Sequence, residues 1–205
     1  MIHREGKDND WFTPEYILKE IRAFMPITLD PCTSKDNPTG AFQFYTEKDN
    51  GLTLPWALSG LNFVNPPYST YVDPGLSPEE QKKAKKTLLK EIKAEGVRLF
   101  GGKSGDYPSL MALWTAKIHH EASQHAPIIA LLPCGARFST KYWQTNILSD
   151  TLNAMCFIRG RVPFLNVDGK PVKNNTYDSI LYGYNINPFL FKEVFSNLGR
   201  TIRVS

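Results

Sequence analysis

Two consecutive prolines, Pro66 and Pro67, constrain this chain more than any other feature. They follow Leu61-Asn62-Phe63-Val64, an apolar run that reads as a short buried strand. Proline has no N–H to give to a ladder, so the strand must stop at Asn65. The turn Asn65-Pro66-Pro67-Tyr68 therefore leaves the carboxyl end of a strand, where open α/β sheets place their ligands.

These residue types suit one task, the presentation of acceptors to an NH2 group. Asn65 offers a side-chain carbonyl, and a backbone carbonyl of Asn65 or Pro66 lies nearby with no local N–H to pair it. Two such acceptors take both hydrogens of an exocyclic amine and draw its nitrogen toward an sp3-like, more nucleophilic state. The stiff Pro-Pro step fixes that geometry in advance. Tyr68 adds a flat face for a base extruded from its stack. The plainer reading is a strand-ending proline turn with a buried tyrosine. The strand context of all four residues together favours amine methylation.

A chain of 205 residues suits one domain with a single core, over 1–205. Its formal net charge of +4 is compatible with a polyanionic partner without demanding one. Cys32, Cys134 and Cys156 are odd in number and lack metal-ligand spacing, which points to a reducing cytosol and no metal site. No apolar run approaches a membrane span, and Met1-Ile2-His3-Arg4-Glu5 is no signal peptide. The expected location is the cytoplasm, with no membrane partner.

Along the chain, Thr13-Pro14-Glu15 reads as a helix start, with Thr13 as cap, Pro14 in the first turn and Glu15 facing the dipole. Ile17, Leu18, Ile21, Phe24 and Met25 then share one face. A well-capped helix explains this stretch, and so does a helix start that receives a carboxylate. Ile27-Thr28-Leu29-Asp30 reads as the first core strand, and Asp30 either caps the next turn or meets a cofactor. Phe42 to Tyr45 reads as a second strand, with Glu47 and Asp49 competing to hold a ribose and Asp49 also explained by its own turn.

Beyond the catalytic turn, a long crossover (70–107) holds a helix start at Ser77-Pro78-Glu79-Glu80 and then a lysine-rich run. Lys82, Lys83 and Lys86 in that run either form a solvated face or contact phosphates, and self-association into a homodimer is the further alternative. A second helix follows from Leu110. Ile128 to Pro133 reads as a strand, and Arg137 to Trp143 as a loop entering a helix, aromatic and, through Arg137 and Lys141, basic. Ala154 to Arg159 and Asp178 to Tyr184 read as an antiparallel hairpin at the sheet edge, with Arg161 in the loop that leaves the first of them. A small helix, Phe189 to Leu198, closes the chain.

From Trp11 to about Tyr184 these features resemble the phage and prophage Dam-like DNA adenine-N6 methyltransferases. Asn65-Pro66-Pro67-Tyr68 resembles the family's catalytic motif in full, and Trp11-Phe12-Thr13-Pro14 its N-terminal signature. Leu29-Asp30-Pro31-Cys32 resembles the first cofactor motif, and Gly51-Leu52 with Trp56 falls where the family has Asp-Gly-Leu and a following Trp. The resemblance implies a Rossmann-like class I methyltransferase: a mostly parallel sheet of about seven strands, an antiparallel C-terminal hairpin and a long helical insert. It implies S-adenosyl-L-methionine held by Trp11, Thr13, Pro14, Asp30, Pro31, Cys32 and Glu47 or Asp49. It also implies duplex DNA as partner, flanked by the loops that carry Arg137, Lys141 and Arg161, with a flipped adenine methylated by direct displacement in a bacterial host. The same tetrad serves amine methylation in RNA and on protein glutamine, and a silent cofactor- or DNA-binding regulator is a separate class. Labelled methyl transfer to DNA, RNA and protein distinguishes all of these.

Overall fold

The strand Ile128–Cys134 (β4) opens with five apolar residues in a row because the sheet is covered on both faces. Ile129 and Leu131 pack into one core, while Ile128, Ala130 and Leu132 pack into the other. The computed structural model describes residues 11–67, 77–94, 96–97, 110–134, 143–166, 168–172 and 175–204. Before β4 come helix α1 (Glu15–Phe24), β1 (Ile27–Asp30), β2 (Gln43–Phe44), β3 (Leu61–Val64), α2 (Pro78–Ala94) and α3 (Leu110–Ser123). After it come a π-helical turn (Trp143–Ile147), β5 (Leu152–Ile158), β6 (Asp178–Tyr184), α4 (Pro188–Phe195) and β7 (Gly199–Arg203).

The seven strands form one sheet in the order β2-β1-β3-β4-β6-β5-β7. From β2 to β4 all three pairings are parallel, and from β4 to β7 all three are antiparallel. α1 and α4 cover one face through Ile17, Leu18, Ile21, Phe24, Phe191 and Phe195. The other face carries α3, the π-helical turn and, through Leu88 and Ile92, α2. α3 is buried along most of its length, and its two internal charges, Lys117 and Glu121, pair at 2.6 Å. Among the described residues no helix is long and apolar enough to cross a membrane.

The expected α/β sheet is present, with three corrections. The β5–β6 pair is antiparallel as expected but not at the edge, because β7 adds outside β5. β7 escapes detection in the sequence because Gly-Arg-Thr-Ile-Arg carries no buried apolar run, as suits an edge strand blunted with charge. β2 spans only two exposed residues instead of Phe42 to Tyr45, and Phe42 is 78% exposed.

One buried polar side chain locks the middle of the sheet. Asn62, fully buried on β3, donates from Nδ2 to the carbonyls of Ala57 (2.7 Å) and Pro127 (2.9 Å) and accepts from the Ala57 N–H (3.0 Å). It ties the loop before β3 to the start of β4. Asn62→Ala strands these buried backbone groups, so the free energy of unfolding should fall by about 2–4 kcal/mol. Urea denaturation with an unchanged m-value checks it.

Candidate active site

Because β1, β3 and β4 run parallel, Asp30, Asn65 and Cys134 come to one edge of the sheet. β6 is antiparallel to β4, so it contributes its first residue there, Asp178, which lies opposite Cys134. β5 brings its last residues and the loop that carries Arg161.

The segment Trp11-Phe12-Thr13 crosses this edge. Asn65 Nδ2 donates to the Trp11 carbonyl and to Thr13 Oγ1, each at 3.1 Å. Two acceptors on the nitrogen fix the amide orientation and make Oδ1 the acceptor end of the side chain. On its other side the segment is stapled to the loop after β5. Phe12 N–H donates to the Leu165 carbonyl at 2.8 Å, Leu165 N–H returns a bond at 3.0 Å, and the Trp11 ring lies 5.7 Å from that of Phe164. Asn175 supports that loop in turn, donating to the Val162 carbonyl at 2.9 Å. Pro66 is buried and Pro67 half-buried. Tyr68, Arg137 and Lys141 lie outside the described residues.

Thr13 is therefore not the cap of α1. The helix starts one residue later than its sequence signal, with Pro14 in the cap position and no side-chain cap. A tertiary partner, Asn65 just past β3, takes the Thr13 hydroxyl from the local role. The Pro14 carbonyl accepts from Ile17 and Leu18, and Glu15 pairs with Arg22.

Asp30 is 3% exposed, and both its oxygens are engaged. Oδ1 accepts from the Cys32 N–H (3.1 Å) and Oδ2 from Thr39 Oγ1 (2.9 Å). Burial pushes its carboxyl up to about 6 against the pull of these bonds. The same turn carries the Cys32 thiol, raised well above its usual range by burial and by Asp30, while the Asn65 backbone amide opposes the rise. Asp30, Cys32 and Asn65 thus touch in series across the β1–β3 junction. Thr39, buried and bonded to Asp30, had no signal in the sequence beyond its place in a polar turn.

Gly51 lies against the same loop, since a Cβ there would sit 2.0 Å from the Pro31 carbonyl oxygen. Its own carbonyl accepts from Trp56 Nε1 at 2.9 Å. Of the two competing acids, Asp49 closes its own turn through the Thr46 N–H (2.8 Å) and hydroxyl (2.7 Å), which hold its carboxyl below the ordinary range. Glu47 is half-buried beside it. Lys82, Lys83 and Lys86 are exposed on α2, and Arg161 is exposed in the loop after β5.

A family model described as DNA N-6-adenine-methyltransferase (Dam) matches residues 2–186. No curated protein matches the chain.

The buried Asp30 generates a pH signature. Its carboxyl rises from 3.8 unfolded to about 6 folded, so the folded chain binds more protons between those values and stability falls as pH rises through that window. The loss amounts to about 3 kcal/mol at neutral pH. Asn in its place can accept from Cys32 and donate to Thr39, whose hydroxyl can turn to Asn37 Oδ1 at 3.3 Å. Asp30→Asn should therefore be more stable than wild type at pH 7, with the difference vanishing near pH 4. Thermal unfolding across pH 4–8 checks it.

Proposed function

The chain belongs to the DNA N-6-adenine-methyltransferase (Dam) family, and we propose that it transfers the methyl group of S-adenosyl-L-methionine to the N6 amine of an adenine flipped out of duplex DNA. The observation that carries this reading is the Asn65 amide, anchored through its nitrogen so that its oxygen is the acceptor at a strand end.

The residues at the β1–β3 edge fit that cofactor. α1 begins without a side-chain cap, leaving early N–H groups for a carboxylate. The loop after β1 holds a buried Ser34 hydroxyl with no partner among the described residues, suited to the hydroxyl-rich part of a nucleoside. Asp30 and half-buried Glu47 add negative charge near a cationic sulfonium. On this reading Thr13, Pro14, Asp30, Pro31, Cys32 and Glu47 line the cofactor site, and Asp49 serves its own turn.

S-adenosyl-L-methionine supplies an electrophilic methyl group on a good leaving group. The chain's part is positioning. Asn65 Oδ1 and the Pro66 carbonyl accept the hydrogens of the adenine amine and aim its lone pair. Pro66 and Pro67 hold those acceptors without competing N–H groups. Tyr68 provides the face on which the base lies. Trp11 and Thr13 keep the Asn65 amide from rotating, and tie that restraint to the loop bearing Arg161. The setting is the cytoplasm of a bacterial host, with the gene carried by a phage or prophage.

Asn65→Ala should abolish methyl transfer to duplex DNA while S-adenosyl-L-methionine affinity by calorimetry changes less than about threefold. Loss of both together would move Asn65 into cofactor binding. Thr13→Val should lower kcat about 10- to 100-fold by freeing the amide, an effect of about 1–3 kcal/mol. Thr13→Ser, which keeps the oxygen, should restore most of it.

A further inference from the structure

The edge of the sheet farthest from β2 carries a second, cationic feature. Gly199 begins β7 so close to β5 that a Cβ would lie 1.9 Å from the Phe157 carbonyl oxygen. Arg159 N–H bonds the Leu198 carbonyl at 2.9 Å and fixes the crossing. This close approach sets Arg159 beside Arg200, and the end of α4 adds Lys192 and Ser196. Together with Thr201 they line an open groove of about 530 Å³.

Three cations share this groove, and among the described residues none of them has an acidic side chain within ion-pair distance. Gathering like charges costs energy unless an anion joins them. Edge protection explains charge on β7, and the helix dipole explains Lys192 near the end of α4. Neither explains Arg159, which is on neither element. The stretches 157–164 and 188–205 hold Arg159, Arg161, Lys192, Arg200 and Arg203 against one acid, Glu193. That excess of four equals the formal net charge of the whole chain, +4. α2 is less one-sided, since its six lysines are offset by Glu79, Glu80 and Glu91.

Position decides what the anion is. β5 ends and β7 begins at the same sheet edge as Asn65. They stand three and four strands from β3, about 14–19 Å away at the usual strand spacing. That span corresponds to about four to six base pairs of duplex.

We propose that the Arg159–Lys192–Arg200 groove is a backbone clamp that binds the phosphodiesters of duplex DNA about half a turn from the flipped base. It rests on the reading of the chain as a DNA methyltransferase. The clamp fixes register without reading sequence.

The test is duplex binding against salt concentration for the wild-type chain and for Arg159→Ala/Lys192→Ala/Arg200→Ala. The triple variant should flatten the slope of log K against log salt by about two to three units on a long duplex. On a duplex ending within about three base pairs of the target adenine, wild type and variant should coincide. Cofactor affinity and kcat at saturating DNA should be unchanged, and Arg159→Lys/Arg200→Lys should keep the wild-type slope. Parallel lines on the long duplex overturn the clamp, and so does an equal loss on both lengths, which would mean general misfolding or non-local charge. Adenine methylation by wild type, measured alongside, tests the activity separately. Methylation with unchanged slope defeats the clamp alone, whereas a changed slope without methylation defeats the activity alone.

Discussion

The anchoring of one amide organises this site. Asn65 can present an acceptor to an amine only while its own NH2 group is occupied elsewhere, because a freely turning amide offers donor and acceptor alternately. The Trp11 carbonyl and the Thr13 hydroxyl supply that occupation at 3.1 Å each. The backbone pairing of Phe12 with Leu165 then holds the anchor itself. Three separate parts of the chain, the N-terminal segment, the end of β3 and the loop after β5, thus meet to fix one amide.

Beneath that anchor the sheet junction is costly. Asp30 is buried with a carboxyl near 6, beside the Cys32 thiol that burial also keeps protonated, and that thiol in turn touches the backbone of Asn65. A core built for stability alone would place apolar side chains there. Strained titration at a strand end is characteristic of sites whose chemistry is worth the cost. A cationic cofactor at this edge would relieve the strain by favouring the ionised carboxylate. Stability is restored by both cores and by Asn62, which meets its backbone partners in full.

The central strands were legible because burial on both faces leaves short, mostly apolar runs. Leu61 to Val64 and Asp178 to Tyr184 stand where the sequence puts them, and the strand read over Ile128 to Pro133 runs one residue further, to Cys134. The edges were not. β7 carries no buried apolar run, and β2 pairs over only two residues. The hairpin of β5 and β6 was right in sense but misplaced, since only the unseen β7 makes it internal. At the site, the proline stop after Val64 was visible from local chemistry alone. The true partner of Thr13 was not, for it lies 52 residues away and overrides a sound local cap. The Thr39 contact with Asp30 was hidden because nothing in a polar turn marks which hydroxyl folds back onto the strand-end acid.

On the proposed reading, Asn65 aims the N6 amine of adenine at a methyl donor. The most direct measurement incubates the full chain with duplex DNA and isotopically labelled S-adenosyl-L-methionine, digests the DNA and identifies the labelled nucleoside. Label in N6-methyldeoxyadenosine, absent with Asn65→Ala, is the predicted result. Label in a methylated cytosine, in RNA or protein supplied in parallel, or in no product at all would contradict the claim.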